Sequence, residues 1–252
     1  MSRPIANQDF EKPIVQETAS AKSMVFSDID IQSRMSVERP DELQFEYTRL
    51  MMGVLLFHPQ PTSILMVGLG GGSLAKFCYK HLPNARITVV EINPHVIALR
   101  QSFHIPDDDA RFEVLQMDAA DFMAQTDQNF DVVLVDGFDP QGQPEQLCSP
   151  QFYSDCRRVL HTGGVVVVNL HRLSAYRDVY VDRIDAAFDG ALWVVNAPGT
   201  TTCVVFALHG FSKDAKFSYS NQKPAQMSDE AWVQIAPSVA RTFLATQATQ
   251  SA

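Results

Sequence analysis

From residue 63 onward, short apolar runs alternate with stretches of helical periodicity. The runs at 64–67, 86–90, 112–116, 132–135 and 165–169 are compact and rich in Val, Ile and Leu. Helical spacing is predicted from the glycines after Val67 to His81, from Glu91 to about Phe103, over 151–160 and over 179–188. Buried runs alternating with helices are the pattern of a parallel sheet covered on both faces. Two later segments, 191–196 and 202–208, are predicted to close the sheet with antiparallel strands.

The chain before residue 63 has a different rhythm. Strand-like pieces at 14–17, 23–26 and 31–35, separated by small polar clusters, predict a β-meander. A helix is predicted over 43–57, carrying Phe45, Tyr47, Leu50, Met51, Val54 and Leu55 on its apolar positions. His58-Pro59-Gln60-Pro61 ends it, because proline cannot continue a helix. Beyond Gly210 the sequence is polar, with one helical stretch at about 229–245. The expectation is a Rossmann-like, doubly wound α/β fold. It has a mostly parallel sheet with an antiparallel C-terminal edge, plus a short N-terminal β-meander. The expected divisions are a flexible arm (1–14), the meander (15–40), a nucleoside-binding catalytic domain (41–210) and a tail with one helix (211–252).

Composition narrows the function classes. With 252 residues, 46% hydrophobic and 19% charged, the chain reads as an ordinary globular protein. A formal net charge of −9 repels nucleic-acid phosphates and concentrates cationic small molecules, so neither nucleic acid nor membrane is expected as a partner. Cys78, Cys148, Cys156 and Cys203 form no CxxC pair and read as thiols of a reducing compartment. With no signal-type apolar stretch at the N-terminus, the expected location is the cytoplasm.

Val67-Gly68-Leu69-Gly70-Gly71-Gly72-Ser73 follows a predicted strand and opens a predicted helix. Glycines there permit a tight turn and close backbone approach to a ligand at a helix N-terminus, with Gly68, Gly70 and Gly72 as the candidate contacts. The same turn also serves dinucleotide enzymes, or packing alone. Glu91 ends the next strand about 20 residues on, where a carboxylate accepts from ribose hydroxyls. Asp118-Ala119 ends the third strand, placed either to hold an adenine amino group or to cap the following helix. Asp136-Gly137-Phe138-Asp139-Pro140 puts two carboxylates past the fourth strand, where open α/β sheets bind ligands. Neighbouring carboxylates suit a cationic amine, and one can take its proton and make nitrogen a nucleophile. The alternative reading of Asp136 and Asp139 is loop capping and a turn. No HxxxH or Cys/His cluster suggests a metal.

These residues together resemble the polyamine aminopropyltransferases, typified by spermidine synthase, over about residues 31–206. Gln32-Ser33-Arg34-Met35 resembles the family's QS-containing strand at the cofactor edge, and Asp107–Arg111 its acidic-then-Arg segment. By the same resemblance Glu91 is the ribose-binding acid, Asp118-Ala119 the adenine-side pair and Asp136 the catalytic base of a DxxDP motif. The resemblance implies decarboxylated S-adenosylmethionine as donor, a diamine such as putrescine as acceptor, methylthioadenosine as by-product and a homodimer or higher homo-oligomer. Three departures sit on the amine side. Gly71 stands where the family's GGGDGG turn carries Asp. Phe45-Glu46-Tyr47 replaces the family's Tyr-His-Glu gate, leaving Glu46 and Tyr47 as substrate-binding candidates with Phe138 and Asp139. Asn169, followed by Leu170-His171, replaces a Gln. An Asp at position 71 would repel the carboxylate of ordinary S-adenosylmethionine, so Gly71 keeps open methyl transfer from S-adenosylmethionine to a small molecule. A third reading, a non-catalytic nucleoside-binding protein, is opposed by the intact Asp136 and Asp139.

Overall fold

The computed structural model describes residues 10–26, 31–139, 142–219 and 223–248. Residues 1–9 of the expected arm and Pro140 of the DxxDP motif lie outside them. Strands β1 (Ile14–Glu17), β2 (Ala21–Val25) and β3 (Ile31–Ser36) pair antiparallel in sequence order, as a meander.

The larger sheet contains β4 (Ser63–Val67), β5 (Arg86–Glu91), β6 (Phe112–Gln116), β7 (Phe130–Val135), β8 (Leu160–His171), β9 (Leu192–Asn196) and β10 (Thr202–Leu208). Their order across it is β6-β5-β4-β7-β8-β10-β9. The ladders from β6 to β8 are parallel, and β10 runs antiparallel to both β8 and β9. This is the predicted mostly parallel sheet with an antiparallel C-terminal edge.

Alternation along the strands divides the core in two. Ile64, Met66, Val132, Leu134, Val165 and Val167 point to one face. There they meet α1 (Glu46–Met51), α2 (Ser73–His81), α3 (Pro94–Ile97) and α7 (Asp229–Ala248). Leu65, Val67, Val133, Val135, Val166 and Val168 point to the other, against α4 (Ala119–Gln125), α5 (Pro150–Arg158) and α6 (Arg177–Ala187). Successive side chains of a strand alternate in direction, so a stretch buried on both faces is apolar at consecutive positions, as in Val132–Val135 and Val165–Val168.

Several boundaries differ from the sequence reading, each for a local reason. The helix expected over 43–57 is α-helical only to Met51 and tightens into a 3₁₀ turn at Met52–Leu56. Gly53 sits in that turn, where a Cβ would lie 2.3 Å from Thr242 Oγ1 of α7, so helix contact shapes it. The helix expected to reach Phe103 ends at Ile97; turns then carry the chain to His104, whose φ is +54°. β8 outruns its apolar core because β10 continues the ladder to the Thr202–His171 pair. No helix among the described residues is long and apolar enough to cross a membrane.

Candidate active site

The sheet order reverses direction between β4 and β7. A crevice opens where strand order reverses, beyond the carboxyl ends of the strands. Here it is a cavity of about 660 Å³ that reaches from the end of β6 to the end of β8.

At its middle lies the glycine turn. Gly68 has φ +91°, and a Cβ on it would stand 2.5 Å from the Asp136 carbonyl oxygen, so only glycine fits. Gly68, Leu69 and Gly70 line the cavity. Gly72 does not: it is the left-handed N-cap of α2, packed under Ile105. Gly71 is also turned away, its open direction filled by Ser33 Oγ at 2.6 Å and the Phe103 ring at 2.9 Å. An Asp at position 71 would therefore have to displace the Ser33 hydroxyl, which itself borders the cavity, or the Phe103 ring.

On the β5 side, Glu91 is 8% exposed. Its Oε2 accepts from Leu69 N and its Oε1 from Asn93 N, both at 2.8 Å. Burial raises the Glu91 pKa above the ordinary carboxylate value, and these backbone N–H groups oppose the rise. Asp118 is the N-cap of α4: Oδ1 accepts from Ala120 N at 2.8 Å, and Oδ2 faces the Gln146 amide at 3.4 Å. Asp118 and Ala119 nonetheless line the cavity, so capping does not withdraw them from a ligand. Gln32 and Ser33 reach it from β3, and the Ser33 hydroxyl lies 3.5 Å from that of Ser73.

On the β7 side, Asp136 N donates to Val67 O at 2.9 Å, tying the loop after β7 to the end of β4. Asp136 Oδ1 accepts from Asn169 Nδ2 at 2.9 Å, and the Tyr47 hydroxyl of α1 donates to the same carboxyl group. Burial pushes the Asp136 pKa up, against the Asn169 and Tyr47 hydrogen bonds and the nearby His171. Burial, then the Asp136 charge, holds the Tyr47 phenol well above its ordinary value. The Asn169 side-chain oxygen is buried and has no hydrogen-bond partner among the described residues. Phe138 meets His171 edge-on at 5.0 Å, and both line the cavity. Asp139 lines it too, its backbone bridged to Gly142.

Of the residues singled out from sequence as ligand contacts, Glu46 and Gly72 fall outside the lining, as do Arg34, Met35, Gly71 and the Asp107–Arg111 segment that carried the resemblance. The Glu46 carboxylate pairs with Arg49 at 2.7 Å on the same helix face. Sequence reasoning missed Phe10, Glu11 and Asn93, which line the cavity from distant parts of the chain. Glu11, Glu91, Asp118, Asp136, Asp139 and Glu145 line it, and no Lys or Arg does among the described residues. Such a wall attracts a cation. No metal-competent group of His, Cys, Asp and Glu side chains is found among the described residues.

The spermine/spermidine synthase domain family matches residues 44–209, the stretch that builds the larger sheet and most of the cavity lining. The chain belongs to that family. A polyamine aminopropyltransferase of Neisseria meningitidis is 31% identical over 226 residues, covering 89% of this chain and 86% of the relative. Another, of Chromobacterium violaceum, is 36% identical over 188 residues, covering 74% of this chain and 71% of the relative. In structure, a probable spermidine synthase of Corynebacterium glutamicum superposes with a TM-score of 0.70 at 20% identity, covering 88% of each chain. The last likeness concerns the fold.

Proposed function

We propose that the protein is an aminopropyltransferase that moves the aminopropyl group of decarboxylated S-adenosylmethionine to a diamine such as putrescine, releasing methylthioadenosine. The observation that carries this reading is Asp136. Its carboxyl is clasped by Tyr47 and Asn169 and tied through its own backbone N–H to the strand that ends in the glycine turn. A base is thus held beside a nucleoside-type turn, in a cavity whose charged side chains are acidic. Membership of the spermine/spermidine synthase family and the names of the two relatives support the same chemistry.

In this reading Gly68, Leu69 and Gly70 lie along the adenosyl group, Glu91 takes the ribose hydroxyls and Asp118-Ala119 the adenine edge. Asp139 and the rings of Phe138 and Tyr47 receive the acceptor. The free Asn169 oxygen accepts an N–H from the incoming amine while its amide N–H holds Asp136. Asp136 takes one proton from the ammonium, and the nitrogen lone pair attacks the propyl carbon next to sulfur. The C–N bond forms as the C–S bond breaks, and the C–S electrons return to sulfur, giving a neutral thioether. Holding the partners in line supplies much of the acceleration, since sulfonium is already a good leaving group.

Parallel calorimetric titrations with decarboxylated S-adenosylmethionine, S-adenosylmethionine and methylthioadenosine test the donor. Preference for the decarboxylated donor, with turnover of putrescine, is the expected result; preference for S-adenosylmethionine with methyl transfer would overturn it. Asp136→Asn is expected to keep nucleoside affinity and lose roughly a hundredfold or more in turnover. Equal loss of both would make Asp136 structural.

A further inference from the structure

The described chain opens on Phe10-Glu11-Lys12-Pro13, which passes along the edge of the cavity before entering β1. This stretch carries no motif, yet it is specifically held. Asn93 Nδ2 donates to the Glu11 carbonyl oxygen at 2.9 Å, across 82 positions of sequence. The same Asn93 is 8% exposed and fully engaged: Oδ1 accepts from His95 N at 2.9 Å and caps α3, while its backbone N–H donates to Glu91 Oε1 at 2.8 Å. One buried amide thus connects the carboxylate on the cavity wall, the start of a helix and the N-terminal segment. Phe10 and Glu11 then line the cavity beside Glu91, Ile92 and Asn93.

Sheet order says which end of the cavity this is. Asn93 follows β5, on the far side of β4 from β7 and β8, whose ends carry Asp136 and Asn169. The segment therefore borders the donor end and not the acceptor end.

We infer that Phe10 is a further nucleoside-contacting residue, an aromatic wall for the adenosine part of the donor, and that Asn93 is the positioning residue that holds it there. This rests on the aminopropyltransferase reading, since it takes the ligand at Glu91 to be an adenosine. An aromatic ring beside a purine gives affinity through its face, independent of base-edge hydrogen bonds. Its removal is therefore expected to weaken adenosyl ligands while leaving the acceptor untouched.

The test uses the full chain with methylthioadenosine as the calorimetric probe, and putrescine kinetics at saturating donor. Phe10→Ala is expected to raise the methylthioadenosine Kd roughly tenfold with unchanged putrescine KM. Asn93→Asp keeps a side-chain oxygen to cap α3 but removes the donor to Glu11, and is expected to follow Phe10→Ala. Bound methylthioadenosine is also expected to slow chymotryptic cleavage after Phe10, read by mass spectrometry. Unchanged affinity in Phe10→Ala would overturn the inference, as would parallel losses in donor and acceptor terms with a lowered melting temperature. Failure of the unaltered protein to bind any adenosyl ligand is a separate result. It would overturn the aminopropyltransferase reading itself, and this inference with it.

Discussion

Asp136 and Gly71 show how single side-chain environments decide what the cavity can do. Because burial lifts the Asp136 pKa, its titration lies above the ordinary aspartate value of about 3.9. Below that raised pKa the carboxyl is protonated and cannot accept a proton, so kcat/KM is expected to fall as pH drops through it. In Asp136→Asn that acid limb should vanish along with most of the rate, which a pH–rate profile of both proteins would check. A limb unchanged in the variant would assign it to another group. Gly71 makes a second prediction. With Ser33 Oγ and Phe103 already in the space a Cβ would need, Gly71→Asp is expected to cost about 1–3 kcal/mol of stability. No gain in amine affinity is expected, because Ser33 and Phe103 must first move to admit the side chain. Thermal melting and calorimetry on the variant read both; tighter amine binding at full stability would contradict this.

At the scale of elements, α2 is anchored by an unusual group. Lys76 is 4% exposed, and its ammonium donates to the Phe103 carbonyl at 2.7 Å. Burial brings its pKa down to about 7, with Asp41 opposing the change. The folded protein therefore holds fewer protons than the unfolded chain between about 7 and the ordinary lysine value. In that window stability rises with pH, by up to about 1.4 kcal/mol per unit for one proton, and the contribution is lost as pH falls through 7. Lys76→Met is expected to flatten the rise in melting temperature between pH 7 and 8.5, a range below the ordinary cysteine pKa. Elements were also where sequence reading succeeded most. The apolar runs of β4, β5 and β7 mark themselves, since burial on both faces leaves few polar positions to blur them, and Thr88 and Asp131 are held by hydrogen bonds. The carboxylates that follow them, Glu91 and Asp136, were legible for the same reason. Asn93 and Phe10 were not, because they reach the cavity through contacts tens of residues apart that leave no local period; Ser33 was legible only through the resemblance of Gln32-Ser33 to the family's strand. Glu46 misled because sequence spacing places a residue on a helix without saying which way it turns; Arg49 claims it.

For the whole molecule, the C-terminal helix is part of the core and not an appendage to it. Ala231, Ile235 and Val239 of α7 join the buried cluster that contains Met52 and Phe206, and Thr242 is fully buried against Gly53. Gly53→Val, whose Cβ would lie 2.3 Å from Thr242 Oγ1, is expected to cost about 1–3 kcal/mol and lower the melting temperature by several degrees. A wild-type melting curve would mean that α7 can shift without cost. In the cavity two contacts join its halves: Asp136 N donates to Val67 O, and the Gly68 backbone lies so close to the Asp136 carbonyl that no Cβ fits between them. Neither loop can lengthen without prising the other from its strand end. In the proposed reading, changes that admit a new amine are therefore expected at the rim, where Phe138 meets His171. A combinatorial library randomised at those rim positions should retain far more folded members than one randomised at Gly68 and Gly70.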